Sequence, residues 1–195
     1  MTAKKTRGGV PTRTAADWEE GALDVMAARG VGALSIPDLA RSLHVTKGSF
    51  YWHFSGLDDL IRRSISRWEA SDKTTLEEIR RIERPATRLR TLFSQAMSAE
   101  RAQRLFLALS LWPTDQSAAA LRKVSVRRLR LLVETYRELG LPDETAQQQG
   151  LLAYSAYIGG VHLRNAETPW LRTPDDVAAY VDHAARVLVG APRKR

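Results

Sequence analysis

The side chains best placed to do chemistry in this 195-residue chain lie in one short run, Thr46-Lys47-Gly48-Ser49-Phe50-Tyr51-Trp52-His53-Phe54. Phe50 and Phe54 stand one helical turn apart and can share a buried face, which leaves Lys47, Ser49, Tyr51, Trp52 and His53 pointing elsewhere. Three consecutive helical positions such as 51, 52 and 53 cannot all sit on one buried face. An ammonium, hydroxyls, a phenol, an indole and an imidazole are the donors and flat rings that reach base edges and phosphates in a DNA major groove. Gly48 would let a partner's backbone come close. A plain helical hairpin with core aromatics is the competing interpretation, and the three adjacent rings count against it.

Catalytic chemistry has less to stand on. His44, His53, His162 and His183 show no metal-ligand spacing with carboxylates, and no H-E-x-x-H, Walker A or G-x-G-x-x-G run occurs. Ser, His and Asp residues could meet in space, but there is no nucleophile elbow. With no Cys in the sequence there are no thiol nucleophiles or disulfides and few routes to structural zinc, which suits a reducing compartment. The expectation is a non-enzyme without metal or cofactor; a helical enzyme stays as the remote alternative.

Two elements must hold the exposed run in place. Ile36, Leu39, Ala40 and Leu43 fall at helical spacing, Pro37 suits a first turn, and Ser35 with Asp38 gives the S-x-x-D capping-box pattern. The pattern stops at His44 and Val45 and restarts at the N-cap Thr46, predicting a second helix through Phe54. The pair reads as a helix-turn-helix. Before it, Thr14 caps a helix carrying Trp18, Ala22, Val25 and Met26 on one face and ending at Arg29 before Gly30. After it, Ser55-Gly56 with Asp58 and Asp59 opens a helix holding Leu57, Leu60, Ile61, Ile65 and Trp68 in register and running on through Leu76 and Ile79 toward Pro85. Such a helix is the natural lever between the exposed run and whatever follows.

VTKGSFYWHF, preceded by IPDLARSLH and followed by Leu60, resembles the DNA-binding domain of the tetracycline-repressor (TetR) family of bacterial regulators, over about Thr14 to Trp68. The resemblance implies base-edge proximity for Lys47, Gly48, Ser49 and Trp52, and phosphate contacts for Ser35, Thr46, Tyr51 and His53. Two positions depart from the family. His44 stands where a turn Gly is usual, and His is one of the non-Gly residues that visit left-handed backbone. Leu57 stands where a phosphate-binding Lys is usual, so the resemblance supplies no anchor there.

Composition agrees with a DNA partner. The chain is 44% hydrophobic and 27% charged, with net charge +8. That excess favours a polyanion, although a solvated basic surface has the same signature. No apolar run approaches the ~20 residues of a membrane span, and no signal region follows the basic start, so a cytoplasmic protein without membrane contact is expected. The opening residues carry Lys4, Lys5, Arg7 and Arg13 among Gly and Pro with no acid. This arm is expected to be disordered when free, and either lies along DNA or only aids solubility.

Beyond Pro85 the chain stays helical, with breaks at Pro113, at Gly140 to Pro142 and at Thr168 to Pro174. Arg122, Lys123, Arg127, Arg128, Arg130 and Arg137 outnumber Glu134 and Glu138 on one helix, as a solvated face or as a site for an acidic effector or partner. Phe93, Met97, Trp112, Tyr136 and Tyr154 are candidates for an effector pocket, with plain core as the other reading; aromatic walls with few charges would suit an apolar, cationic or planar ligand. The last two helices carry apolar faces that include Tyr157, Ile158, Val161, Val177, Tyr180, Val181, Ala184 and Leu188. Pattern alone leaves internal core and dimer face open. In the resembled family this pair forms a four-helix dimer interface, and a palindrome reader needs a two-fold axis holding two recognition helices roughly 34 to 36 Å apart.

The expected architecture is all-α, with about nine helices. A flexible basic arm (1–13) precedes a three-helix helix-turn-helix DNA-binding domain (14–70), a helical effector-binding and dimerisation domain (71–190) and a basic tail (191–195). The function implied is a homodimeric repressor that binds a palindromic operator in double-stranded DNA and is released by a small-molecule effector. An architectural or partner-recruiting DNA-binding protein without a ligand pocket is the alternative.

Overall fold

The computed structural model describes residues 13–166 and 168–189; Lys4, Lys5, Arg7 and the 191–195 tail lie outside them. Among the described residues the chain is all-helical: α1 (Ala15–Arg29), a 3-10 turn (Val31–Ala33), α2 (Ile36–Ser42), α3 (Lys47–Phe50), α4 (Leu57–Arg80), α5 (Pro85–Ser98), α6 (Glu100–Ser110), α7 (Asp115–Glu138), α8 (Asp143–Asn165) and α9 (Pro174–Val189). No helix among them is long and apolar enough to cross a membrane.

Local chemistry sets most boundaries. The Thr14 amide donates to Asp17 Oδ2 at 2.7 Å while the Asp17 amide donates back to Thr14 Oγ1. This reciprocal box starts α1, and its backbone bond first, then the Thr14 hydroxyl, hold the Asp17 carboxyl below its ordinary pKa. Gly30 and Gly140 follow α1 and α7 at φ 84° and 88°, the left-handed side that glycine enters at little cost. His44 occupies the same region at φ 58°.

Two sequence expectations need correcting around the helix-turn-helix. Ser35 stands at the N-cap of α2, but its side chain makes no capping bond, and Asp38 pairs with Arg41 at 3.1 Å instead. The α3 helix is shorter than predicted. Regular helix ends at Phe50, and a hydrogen-bonded turn carries the chain to Phe54, whose amide reaches the Phe50 carbonyl at 3.1 Å. Gly48 and three successive rings are poor helix formers, so only Phe50 and Phe54, stacked at 5.2 Å, tie the segment to the core.

One core gathers Trp18, Met26, Leu39, Phe50, Phe54, Leu60 and Ile65 around α1–α4, and it also takes Leu105 and Leu109 from α6 and Ala120 and Val124 from α7. A second core joins α5, α7, α8 and α9 around Leu89, Phe93, Met97, Leu132, Tyr136 and Ala153. The α6 helix therefore belongs to the packing of the helix-turn-helix half. Trp112, a pocket candidate, lies at the α6–α7 junction over Gly32, far from the second core.

The α5–α6 break at Ala99 carries no Gly or Pro signal. Gln103 donates its side-chain amide to the Ala96 carbonyl and Arg164 donates to the Met97 carbonyl at 2.6 Å, replacing partners that a continuous helix would supply.

The apolar stripes of α8 and α9 face inward. Tyr157, Val161, Val177, Val181, Ala184 and Leu188 are buried in the second core, and Ile158 and Tyr180 pack against it. Tyr180 lies on Gly160, where a Cβ would come within 2.9 Å of its ring. Of the eight residues expected at a dimer face, six are buried within one subunit and Ile158 and Tyr180 keep part of their surface exposed. The exposed large apolar side chains of these two helices are Leu151, Leu152, Leu163 and Val187.

The strained turn gives a direct test. His44→Gly is expected to raise stability by about 0.5–1 kcal/mol, because it removes a Cβ from left-handed backbone. His44→Val is expected to lower it by about 1–2 kcal/mol. Urea unfolding that ranks Val at or above Gly would contradict this account of the turn.

Candidate functional site

The exposed run forms one continuous surface. Trp52 is 87% exposed and Tyr51 56%, an unusual degree for large rings. The edge of Tyr51 meets Phe50 at 5.2 Å, which fixes the phenol beside the buried anchor. Lys47, Gly48 and Thr46 are exposed and Ser49 is half-buried, with its hydroxyl donating to the Thr46 carbonyl at 2.8 Å. Ser35 and Thr46 both stand at helix N-caps without using their hydroxyls to cap. The protein's own packing does not require glycine at position 48, since a Cβ there would meet nothing nearer than Thr46 Oγ1 at 3.7 Å. The geometry presents one ammonium, two hydroxyls, a phenol and an indole on a short helix and the turn that follows it, with the Ser35 hydroxyl at the start of α2, a surface suited to hydrogen bonding a polyanion.

His53 differs from its neighbours. It is half-buried, and its Nε2 lies 3.0 Å from the Arg13 carbonyl, while Arg13 Nε donates to the Leu43 carbonyl at 3.2 Å. Arg13 is thereby fastened between the two helices of the helix-turn-helix. From the other side, Arg63 on α4 donates to the His53 carbonyl at 3.0 Å, pairs with Glu19 on α1 at 2.9 Å and lies 4.6 Å above the Phe54 ring. One guanidinium ties the end of the recognition segment to both α1 and α4. Sequence reading did not single out Arg63, because its partners are remote in the chain.

Farther along α4, at roughly 1.5 Å per residue and so about 14 Å from Arg63, Asp72 enters a cavity of about 430 Å³. Its walls include Trp68, Leu76, Leu92, Phe93, Tyr154 and Tyr157, drawn from α4, α5 and α8, with Ala102 from α6. Of the five predicted pocket residues, Phe93 and Tyr154 line this space. Met97 and Tyr136 are fully buried in the second core, where burial pushes the Tyr136 phenol up to about 12. Burial also raises the pKa of Tyr154, whose hydroxyl donates to Ser125 at 2.9 Å and is partly offset by that bond.

The cavity wall carries charge, contrary to the expectation of few charges. Arg128 Nε and Nη2 donate to Asp72 Oδ1 at 2.9 and 2.6 Å, Arg128 Nη1 donates to the Tyr157 hydroxyl at 2.9 Å, and Arg127 Nη1 donates to Asp72 Oδ2 at 3.1 Å. Arg127 also meets Glu69 at 3.2 Å. These pairs bridge α4 to α7. A signal for them existed in the sequence: Asp72 interrupts the stripe of Trp68, Leu76 and Ile79, and Arg128 that of Val124, Leu131 and Leu132, so each charge was placed on a buried face.

Residues 20–63 match the family model described as "Bacterial regulatory proteins, tetR family". No curated protein matched the chain. Solved structures of similar fold include a TetR transcriptional regulator from Legionella pneumophila, 15% identical with TM-score 0.73, the match covering 88% of this chain and 95% of that one. A transcriptional regulator from Saccharomonospora viridis in complex with choline is 15% identical with TM-score 0.74, covering 87% and 92%. The regulator FadR from Bacillus subtilis in complex with stearoyl-CoA is 14% identical with TM-score 0.66, covering 90% and 98%. At these identities the likeness is one of fold.

Removing either member of the α4–α7 bridge should have unequal effects. Asp72→Ala leaves two guanidinium groups without their shared carboxylate and is expected to cost about 3 kcal/mol or more. Arg128→Gln leaves Asp72 paired with Arg127 and is expected to cost less than half as much. Equal losses in urea unfolding would contradict the shared-carboxylate arrangement.

Proposed function

We propose that this chain, whose residues 20–63 match the tetR family model, is a DNA-binding transcriptional regulator of that family and works as a homodimeric repressor. It holds a palindromic operator and lets go when a small molecule enters the 430 Å³ cavity. The observation that carries this reading is the double duty of α4. One end braces the recognition segment through Arg63, and the middle forms a cavity wall through Trp68, Asp72 and Leu76. A ligand that repositions the wall moves the brace, and the energy available is the ligand's differential affinity for the two positions.

In this reading Lys47, Gly48, Ser49 and Trp52 lie at base edges, and Ser35, Thr46 and Tyr51 hold phosphates. His53 positions Arg13 through one ring nitrogen and offers the other to the backbone. Lys4, Lys5 and Arg7, outside the described residues, belong to the same proposed DNA contact by their charge. The two-fold contact falls on α8 and α9 through Leu151, Leu152, Leu163 and Val187, the apolar side chains these helices leave exposed. Relatives of this fold crystallised with choline and with stearoyl-CoA support the idea that such a helical domain houses small molecules. The place of action is the cytoplasm, where the operator lies.

Selection of sites from random duplexes at physiological salt tests the proposal. The expected product is a palindrome whose half-sites lie one turn apart, about 34 to 36 Å; salt-sensitive binding without enrichment would contradict it. On the recovered site, Tyr51→Phe is expected to weaken binding about equally for all sequences with the salt slope unchanged, because a neutral phenol releases no counterion, and Lys47→Ala to relax preference at one position by about 1–3 kcal/mol. Binding unchanged in both variants would remove these assignments.

A further inference from the structure

We infer that the cavity takes an amphiphile with an anionic carboxylate head and an unbranched apolar body, the carboxylate bonding to Arg128. The inference rests on the cavity being the effector site and adds the chemical class of the effector. Two charged groups line the cavity, Asp72 and Arg128, and they are not equally available. The Asp72 side chain is 5% exposed and the Arg128 side chain 18%. Both Asp72 oxygens are already engaged, by Arg128 on one and Arg127 on the other. A cationic ligand would have to displace a guanidinium from a saturated carboxylate.

Arg128 is the opposite case. Of the five N–H donors on a guanidinium, the bonds to Asp72 and Tyr157 use three. The group of Asp72 with Arg127 and Arg128 carries one net positive charge, and Glu69, the next acid, is shared by Arg127 and Lys123. A carboxylate arriving at Arg128 supplies the missing negative charge and accepts from the remaining donors, in the forked geometry that favours arginine over lysine. Apart from Ser71, Thr75, Gln95 and Ser98, the rest of the lining is apolar or aromatic, including Leu76, Ile79, Leu92 and Phe93, so most of the remainder of the ligand is hydrocarbon.

The same arrangement links binding to the lever. A carboxylate that draws Arg128 toward the cavity weakens its hold on Asp72, and Asp72 keeps Arg127, so α4 is loosened from α7 without leaving a buried carboxylate unpaired.

Calorimetric titration of the intact protein with decanoate, 1-decanol and decyltrimethylammonium, each below its micelle threshold, tests the inference. Decanoate is expected to bind at least about tenfold more tightly than either of the others. Arg128→Gln is expected to abolish that preference, and Ala102→Trp, which fills the cavity mouth, to abolish decanoate binding. Decanol or the ammonium probe binding as tightly as decanoate, with Ala102→Trp blocking it, would overturn the anionic class and leave the cavity as the effector site. Decanoate binding untouched by Ala102→Trp, or no binding of decanoate, would overturn the inference, and the first of these would also remove the cavity from its role. Should Arg128→Gln fail to fold, the three-probe comparison on the unaltered protein decides the class by itself.

Discussion

The structure depends on α4 belonging to both halves of the molecule. Its first turns place Leu60 and Ile65 in the core that carries Trp18 and Phe50, and its last place Leu76 and Ile79 with Leu131 of α7. Because side chains in a packed core do not deform continuously, a helix buried at both ends moves as a body. In the proposed mechanism a change at Asp72 is felt at Arg63, and Arg63 is the group that holds the His53 carbonyl, Glu19 and the Phe54 face. A short recognition segment with two core anchors needs such a brace.

The α6 helix is tied by charge to α1 within the helix-turn-helix half. Arg101 donates to the Glu20 carbonyl and carboxylate and pairs with Asp24, while Arg67 on α4 reaches Glu20 at 2.6 Å. Burial raises the Glu20 pKa, but the bonds from Arg67 and Arg101 outweigh it and hold the carboxyl below its ordinary value. The contribution of these bonds is thus present at neutral pH and fades as acid titrates Glu20. They are exposed pairs of modest strength. In the proposed mechanism the shift begins at the buried pairs of Asp72.

Much of this was legible in the chain. Thr14, Gly30, Pro85 and Gly140 mark helix ends by capping and backbone chemistry that act within a few residues, and the structure follows them. The exposed rings at 51 and 52 were legible because a helix cannot bury three neighbours at once. What escaped depends on partners far away in sequence. The Ala99 break is held by Gln103 and Arg164, and the Ser35 cap is not used. The stripes of α8 and α9 are buried or partly buried within one chain, and periodicity alone shows that a face is buried but not whether the partner is the same chain. Asp72 and Arg128 were visible as charges inside apolar stripes, and the sequence left Arg128 and its basic neighbours open between a solvated face and a site for an acidic effector or partner.

The claim that α4 carries motion from the cavity to the recognition segment is open to one direct measurement. The chain has no cysteine, so Ser55→Cys, just beyond that segment, takes a single spin label per subunit. Electron–electron distances between the two labels of a dimer would be compared in the protein with and without Ala102→Trp. The account predicts one distance distribution in the parent and a shifted one when the cavity is filled. Identical distributions, with the added indole seated in the cavity, would contradict it.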